Sequence, residues 1–238
     1  MQKIKPLILL AYFLFAPVFA VMADSGTHSP DGFEPRLSGE IVNLTLQSRG
    51  SQYHHPEWLY GDIILYSGET VKNKQLRYNG FRDALVWLHP DTQQHIMLDT
   101  DLISGFSLYE QTLDRKMVFD RITPGRQSQG MFAERLFLNS IALYAHRNIE
   151  QTGEATQISG NALRPIAILE AKPVYYIRDH EGTYIELNRL NRRSLLAAFP
   201  EKRREVRSLL RQHRIGVFNE AELIQAIYVI EQFLSENN

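Results

Sequence analysis

From Leu37 onward the apolar positions fall into short runs that alternate with polar ones. Glycine, proline, asparagine or aspartate stands between the runs. Period-two alternation puts every second side chain on one face, so these runs predict half-buried strands joined by turns. Val42, Leu44 and Leu46 alternate with Ile41, Asn43 and Thr45. Residues 62–66 run into the turn Ser67-Gly68-Glu69 and return through 71–78. Asn79-Gly80 predicts a two-residue type I′ hairpin, because both residues tolerate positive φ. Further strands are predicted at 84–88, then at 95–98 beyond the Pro90-Asp91 turn, and at 106–109, 117–122, 131–136 and 141–146. Residues 174–178 and 183–187 flank Asp179-His180-Glu181-Gly182 and predict one more hairpin. A single helical turn is expected near Asp101, and 150–165 reads as a long polar loop that divides the sheet into two parts.

At Leu190 the period changes. Asn191 caps a predicted short helix carrying Leu195, Leu196 and Phe199 and stopping at Pro200. Pro200 begins a second helix with Val206, Leu209 and Leu210 on its apolar side, and Gly216 ends it. Asn219 with Glu222 has capping-box spacing before a third helix, where Leu223, Ile227, Ile230 and Leu234 recur at steps of four, three and four. The expected fold class is α+β: mainly an antiparallel β meander, either a curved sheet or a partial barrel, followed by a C-terminal cluster of three short helices.

The N-terminus has a different pattern. Lys3 and Lys5 precede a nearly continuous apolar run to Phe15, and the small residues of 16–23 follow before Asp24. This reads as a cleaved secretory signal, with the cut after Ala23, or secondarily after Ala20. The alternative is an uncleaved anchor, which Pro17 and the small residues disfavour. Residues 24–36 are rich in serine, glycine and proline and read as a flexible linker. The expected organisation is therefore signal peptide 1–23, linker 24–36, antiparallel β body 37–188, and a basic helical tail 189–238 packed on that body. After cleavage no transmembrane segment remains, which places the protein in the periplasm or outside the cell.

Composition narrows the classes. The 238 residues are 44% hydrophobic and 22% charged, which excludes collagen-like, disordered and multi-span membrane chains. No cysteine is present, so disulfides, thiolate metal sites and thiol catalysis are excluded. Charge carries more information. Nine arginines and lysines face two acids, Glu201 and Glu205, between Asn188 and Arg214, so that segment is +7. Loss of residues 1–23 removes two lysines and no acid, so the net charge of −1 becomes −3 and the rest of the mature chain carries −10. At about 100° per residue, Arg203, Arg207, Arg211 and Arg214 fall in an arc of roughly 80°. With Arg192 and Arg193 they form a candidate surface for an acidic envelope protein or another anionic surface, because the guanidinium fork suits carboxylate and phosphate alike. The bland alternative is a solvated helix face or pairing with the acidic body. Nucleic acid is not expected of an exported, net-negative chain.

Other chemistry is thin. His54 and His55 are adjacent, and His89 and His95 flank a turn beside Asp91 and Asp99, but no H-E-x-x-H pattern exists and no metal is expected. Asp99-Thr100-Asp101 begins like a calcium loop, yet Leu102-Ile103-Ser104 stand where further ligands and a glycine belong, so a helix cap is the simpler reading. No P-loop, G-x-G-x-x-G or G-x-S-x-G occurs, so no cofactor or catalytic residue is assigned and binding is favoured over an enzyme. Trp58, Tyr66, Tyr78 and Trp87 crowd the first β region and suit either the core or a groove for a lipid or other hydrophobic ligand.

The segment Glu57-Trp58-Leu59-Tyr60-Gly61-Asp62-Ile63-Ile64-Leu65, with Gly68, Asn73, Leu76-Arg77-Tyr78-Asn79 and Asp83-Ala84-Leu85, has a familiar cast. So do Pro173-Val174-Tyr175-Tyr176, Gly182, Arg192-Arg193-Ser194-Leu195-Leu196 and Phe199-Pro200. Together, over roughly residues 55–235, the chain resembles an uncharacterised family of exported β-rich proteins of Gram-negative bacteria. The resemblance implies export and a β-rich body; it carries no activity and no site residues.

Overall fold

The computed structural model describes residues 37–42, 47–125, 130–159 and 162–236. The expected signal peptide, the whole of the expected linker, and the strand positions 43–46 lie outside the described residues. In chain order the strands are β1 (Gly39–Ile41), β2 (Ser48–Arg49), β3 (Leu59–Leu65), β4 (Thr70–Asn79), β5 (Ala84–Leu88), β6 (His95–Leu98) and β7 (Ile103–Glu110). They continue with β8 (Arg115–Ile122), β9 (Met131–Leu138), β10 (Ala142–His146), β11 (Ile149–Ser159), β12 (Ala162–Ala171), β13 (Val174–Arg178) and β14 (Tyr184–Leu187). The helices are α1 (Arg192–Ala197), α2 (Arg203–Gln212) and α3 (Glu220–Glu236). Among the described residues no helix is long and apolar enough to cross a membrane.

Eleven strands form one antiparallel meander in the order β1-β6-β5-β4-β3-β7-β8-β9-β10-β13-β14. The alternation read from the sequence is obeyed: in β3, Leu59, Gly61 and Ile63 are buried while Tyr60 and Ile64 face out. The sheet is strongly curved but not closed. Tyr78 of β4 and Phe132 of β9 are separated by three strands in the sheet, yet both pack on Phe106, at centroid distances of 5.7 and 5.2 Å. Asp83, in the turn after β4, pins that curl: it accepts the Tyr78 hydroxyl at 2.6 Å and the Phe132 N–H at 3.2 Å. Burial raises the Asp83 carboxyl above its ordinary pKa against these hydrogen bonds.

Three expectations are corrected here. The β4–β5 turn is not a two-residue type I′ turn. It spans four residues, and the left-handed position is Asp83, with φ of 49°. Asn79 is fully buried and accepts the Arg82 N–H at 3.1 Å, while Gly80 is needed because a Cβ there would lie 2.3 Å from the Arg147 carbonyl. The stretch 150–165 is not a loop. It belongs to a hairpin, β11–β12, paired from Ile149↔Ala171 to Ser159↔Ala162, with β2 lying parallel against β12. Ile149 and Leu169 are buried at its root, but most of the arm is exposed on both faces, so nothing forces an apolar alternation. Nor does it divide the sheet, since β10 and β13 pair directly across it.

The third correction concerns helix ends. α2 starts at Arg203, not Pro200, and ends before Gly216. Arg214 takes the left-handed cap position at φ of 56°, with its N–H on the Arg211 carbonyl and the Ile215 N–H on the Leu210 carbonyl. That is the paired bond pattern usually built around glycine. Asn191 and Asn219 cap α1 and α3 as expected, accepting the Ser194 and Glu222 N–H groups at 2.8 and 2.9 Å. The helices bury Leu195, Val206, Leu210, Leu223, Ile227 and Ile230 against Leu143, Ala145, Tyr175 and Ile177 of β10 and β13. Alternate residues of those strands, Ala142, Tyr144 and Tyr176, go to the other face with Ile122 and Ala133.

Candidate anion-binding groove

α2 is amphipathic in the simplest sense. Val206 and Leu210 are buried, whereas Arg203, Arg207 and Arg211, at steps of four, are exposed along one stripe. α1 presents Arg192 and Arg193 in its first turn, both exposed. The two helices are joined through Phe199-Pro200 and pack side by side. Between them lies a groove of about 500 Å³ lined by Arg192, Arg193, Arg203, Arg207 and Arg211 over Leu196 and Leu210. Five of the six arginines singled out in the sequence therefore meet in one concavity. The sixth, Arg214, caps α2 and does not line it.

Among the described residues no carboxylate pairs with any of these five. Arg192 is held from below, donating its Nε to the Ile215 carbonyl at 2.6 Å. Two acids of the body are engaged elsewhere. Arg135 takes Asp120 with two bonds, at 2.7 and 2.5 Å, and Lys172 pairs with Glu150 at 3.3 Å. Exposed guanidiniums without a carboxylate of their own offer paired N–H donors to an incoming carboxylate or phosphate.

Comparison with protein-family models, with curated proteins and with solved structures finds no match to this chain.

The four aromatics do not converge. Tyr78 is sealed in the core, with its hydroxyl on Asp83 and its pKa pushed well up by burial. Tyr66 is exposed beside the β3–β4 turn, Trp58 packs on His95 at 5.2 Å, and Trp87 on His89 at 4.9 Å. None of the four lines the groove. Of the other histidines, His55 lies 3.4 Å from Glu110. Among the described residues no cluster of three or more histidines and carboxylates forms. Asp99 accepts the Asp101 N–H at 3.1 Å and caps the short 3-10 turn Thr100–Leu102.

One constellation was not legible in the sequence. Glu134 is buried and pairs with both Arg115 and Arg147, and Arg147 also takes Glu220 at 2.5 and 3.0 Å. Tyr175 donates to the same Glu220 at 3.0 Å. Burial works to raise the Glu220 carboxyl, but the bonds and charge of Arg147 outweigh it and leave the group below its ordinary value. Burial and Glu220 together push Tyr175 up to about 12. Beside this network sits His54, whose pKa is lowered to about 4 by burial, then by the charges of Arg147 and Arg115. A cavity of about 240 Å³ opens between His54 and Arg147, but two carboxylates already occupy the Arg147 guanidinium. Arg115, Glu134, Tyr175 and Glu220 come from β8, β9, β13 and α3, and Arg147 and His54 from connecting segments, so no spacing in the chain announces them. They tie the start of α3 to the sheet.

Proposed function

We propose that the chain is an exported, non-enzymatic protein of the bacterial cell envelope that captures an acidic protein partner in the groove between α1 and α2. The observation that carries this reading is the convergence of five arginines from two helices, unpaired by any described carboxylate, on one concavity. The +7 charge of the segment within a net-negative chain supports it, because such an asymmetry steers an acidic partner to one face. The expected signal segment 1–23 and the resemblance to exported β-rich proteins are the support for export.

The test begins with photo-cross-linking from the groove in cells, followed by calorimetry on the purified partner. Arg203, Arg207 and Arg211 are exposed, so reversing all three to glutamate leaves the melting temperature within about 2 °C. Affinity for the partner falls at least about tenfold, since like charges then face each other across the interface. Retained affinity in the triple variant would overturn the reading.

A further inference from the structure

The groove continues past Arg193. Arg192 and Arg193 also line a second cleft, of about 700 Å³, bounded by Ile185, Ala197, Ala198 and Phe218. Phe218 is 78% exposed, the most exposed of the large apolar side chains described. It stands immediately before the helix cap Asn219, where an apolar residue ordinarily folds back onto the fourth helical residue, here Leu223. The α2–α3 loop prevents that fold-back. Ile215 and Val217 are both buried, and Val217 holds φ of 63°, a region that β-branched residues rarely enter. With Val217 turned in, Phe218 is turned out, and its N–H is fixed by the Glu222 carboxylate at 2.9 Å. Arg192 holds the same loop through the Ile215 carbonyl. A strained backbone thus presents an aromatic ring in a cleft lined by three arginines, Arg189, Arg192 and Arg193, two of which also line the arginine groove.

We propose that this cleft receives one apolar side chain of the acidic partner, so that the recognised element is a peptide with carboxylates flanking a leucine-like or aromatic residue. The inference rests on the reading of the groove as a partner site. Ile185, Ala197, Ala198 and Phe218 give an apolar side chain its contacts in the cleft, while Arg189, Arg192 and Arg193 around it, with the arginines of the groove, take the flanking carboxylates. Glu186, the one acid in the lining, already accepts the Tyr176 hydroxyl at 3.4 Å. Both cavities are recessed between α1 and its neighbours. A peptide offers protruding side chains to such recesses, whereas a bilayer offers a plane.

The test titrates the purified chain with two fluorescein-labelled nine-residue peptides of alternating glutamate and aspartate, one with a central leucine and one with a central serine. The leucine peptide binds about tenfold tighter, as burial of one aliphatic side chain requires. Phe218→Ser, at an exposed position, removes that preference and leaves the serine peptide unchanged. Arg203→Glu with Arg207→Glu weakens both peptides. Equal affinities in the wild type, or a preference that survives Phe218→Ser, overturn the inference while the groove reading stands. If neither peptide responds to the arginine reversal, the groove reading falls with it. Sedimentation with phosphatidylglycerol vesicles in place of peptide binding reassigns both cavities to a lipid surface and overturns the proposal.

Discussion

At the scale of single residues the molecule separates its charges into two kinds. Those of Glu134, buried, and of Arg147 and Glu220, half-buried, are saturated with partners; those of Arg203, Arg207 and Arg211 are exposed and without a carboxylate among the described residues. His54 reports on the first kind. Its pKa lies near 4 in the folded chain and near 6.5 when unfolded, so between those values the unfolded chain binds the extra proton. Stability from this group is therefore complete above pH 6.5 and is lost as pH falls toward 4, by up to about 3 kcal/mol. Denaturant unfolding from pH 7 to pH 4 shows the loss in the wild type. His54→Leu, which cannot take up a proton, flattens the curve by that amount, and an unchanged slope would show that the site is solvated. The sequence offered only an adjacent His54-His55 pair. Besides burial, the His54 pKa responds to the charges of Arg147, Arg115 and Glu220, which the chain brings in from three distant places, and no local pattern encodes that meeting.

Elements were legible in proportion to how much burial they carry. β3, β4, β7 and β8 each carry core residues, and the apolar runs between turns read from the chain at 62–66, 71–78, 106–109 and 117–122 overlap all four. The three helices followed from the change of period at Leu190, because α2 and α3 each bury a stripe at steps of three and four. The arginine stripe is the solvent side of the same periodicity, and so one wall of the groove was legible in the sequence. Its second wall, Arg192 and Arg193, also lay in the sequence, but only the packing of α1 on α2 makes one concavity of them. The β11–β12 arm was read as a loop because a hairpin wet on both faces needs no apolar period. Its independence leads to a prediction. Ile149, Leu169 and the β2 pairing at Ala167 and Ile168 lie at the root, beyond which the described side chains are exposed or half-buried. Replacing residues 155–166 by Asn-Gly, a two-residue hairpin turn, keeps the root pairs and shifts the melting temperature by no more than a few degrees. A collapse of the cooperative transition would show that the arm is part of the core.

For the whole molecule, the question is whether the basic helices are an appendage or part of the fold. Charge suggests an appendage, a +7 segment beside a body of opposite sign. Packing contradicts that. Leu143, Ala145, Tyr175 and Ile177 of the sheet are buried only because α1, α2 and α3 cover them. Glu231 of α3 also satisfies the Ser140 and Ile141 N–H groups of the β9–β10 turn, at 3.0 and 3.2 Å. Removing the helices would expose that apolar face and orphan those donors together, each effect costing kilocalories. A chain ending at Asn188 is therefore expected to aggregate, or to lose its sharp thermal transition. The full chain with Arg203, Arg207 and Arg211 reversed is expected to melt like the wild type. Calorimetry on the two variants separates the alternatives. If the shortened chain melts cooperatively near the wild-type temperature, the helices are an independent module and the groove has been set on a sheet that does not need it. If only the charge-reversed chain does so, the inner face of the helices serves folding and their outer face is left free for a partner.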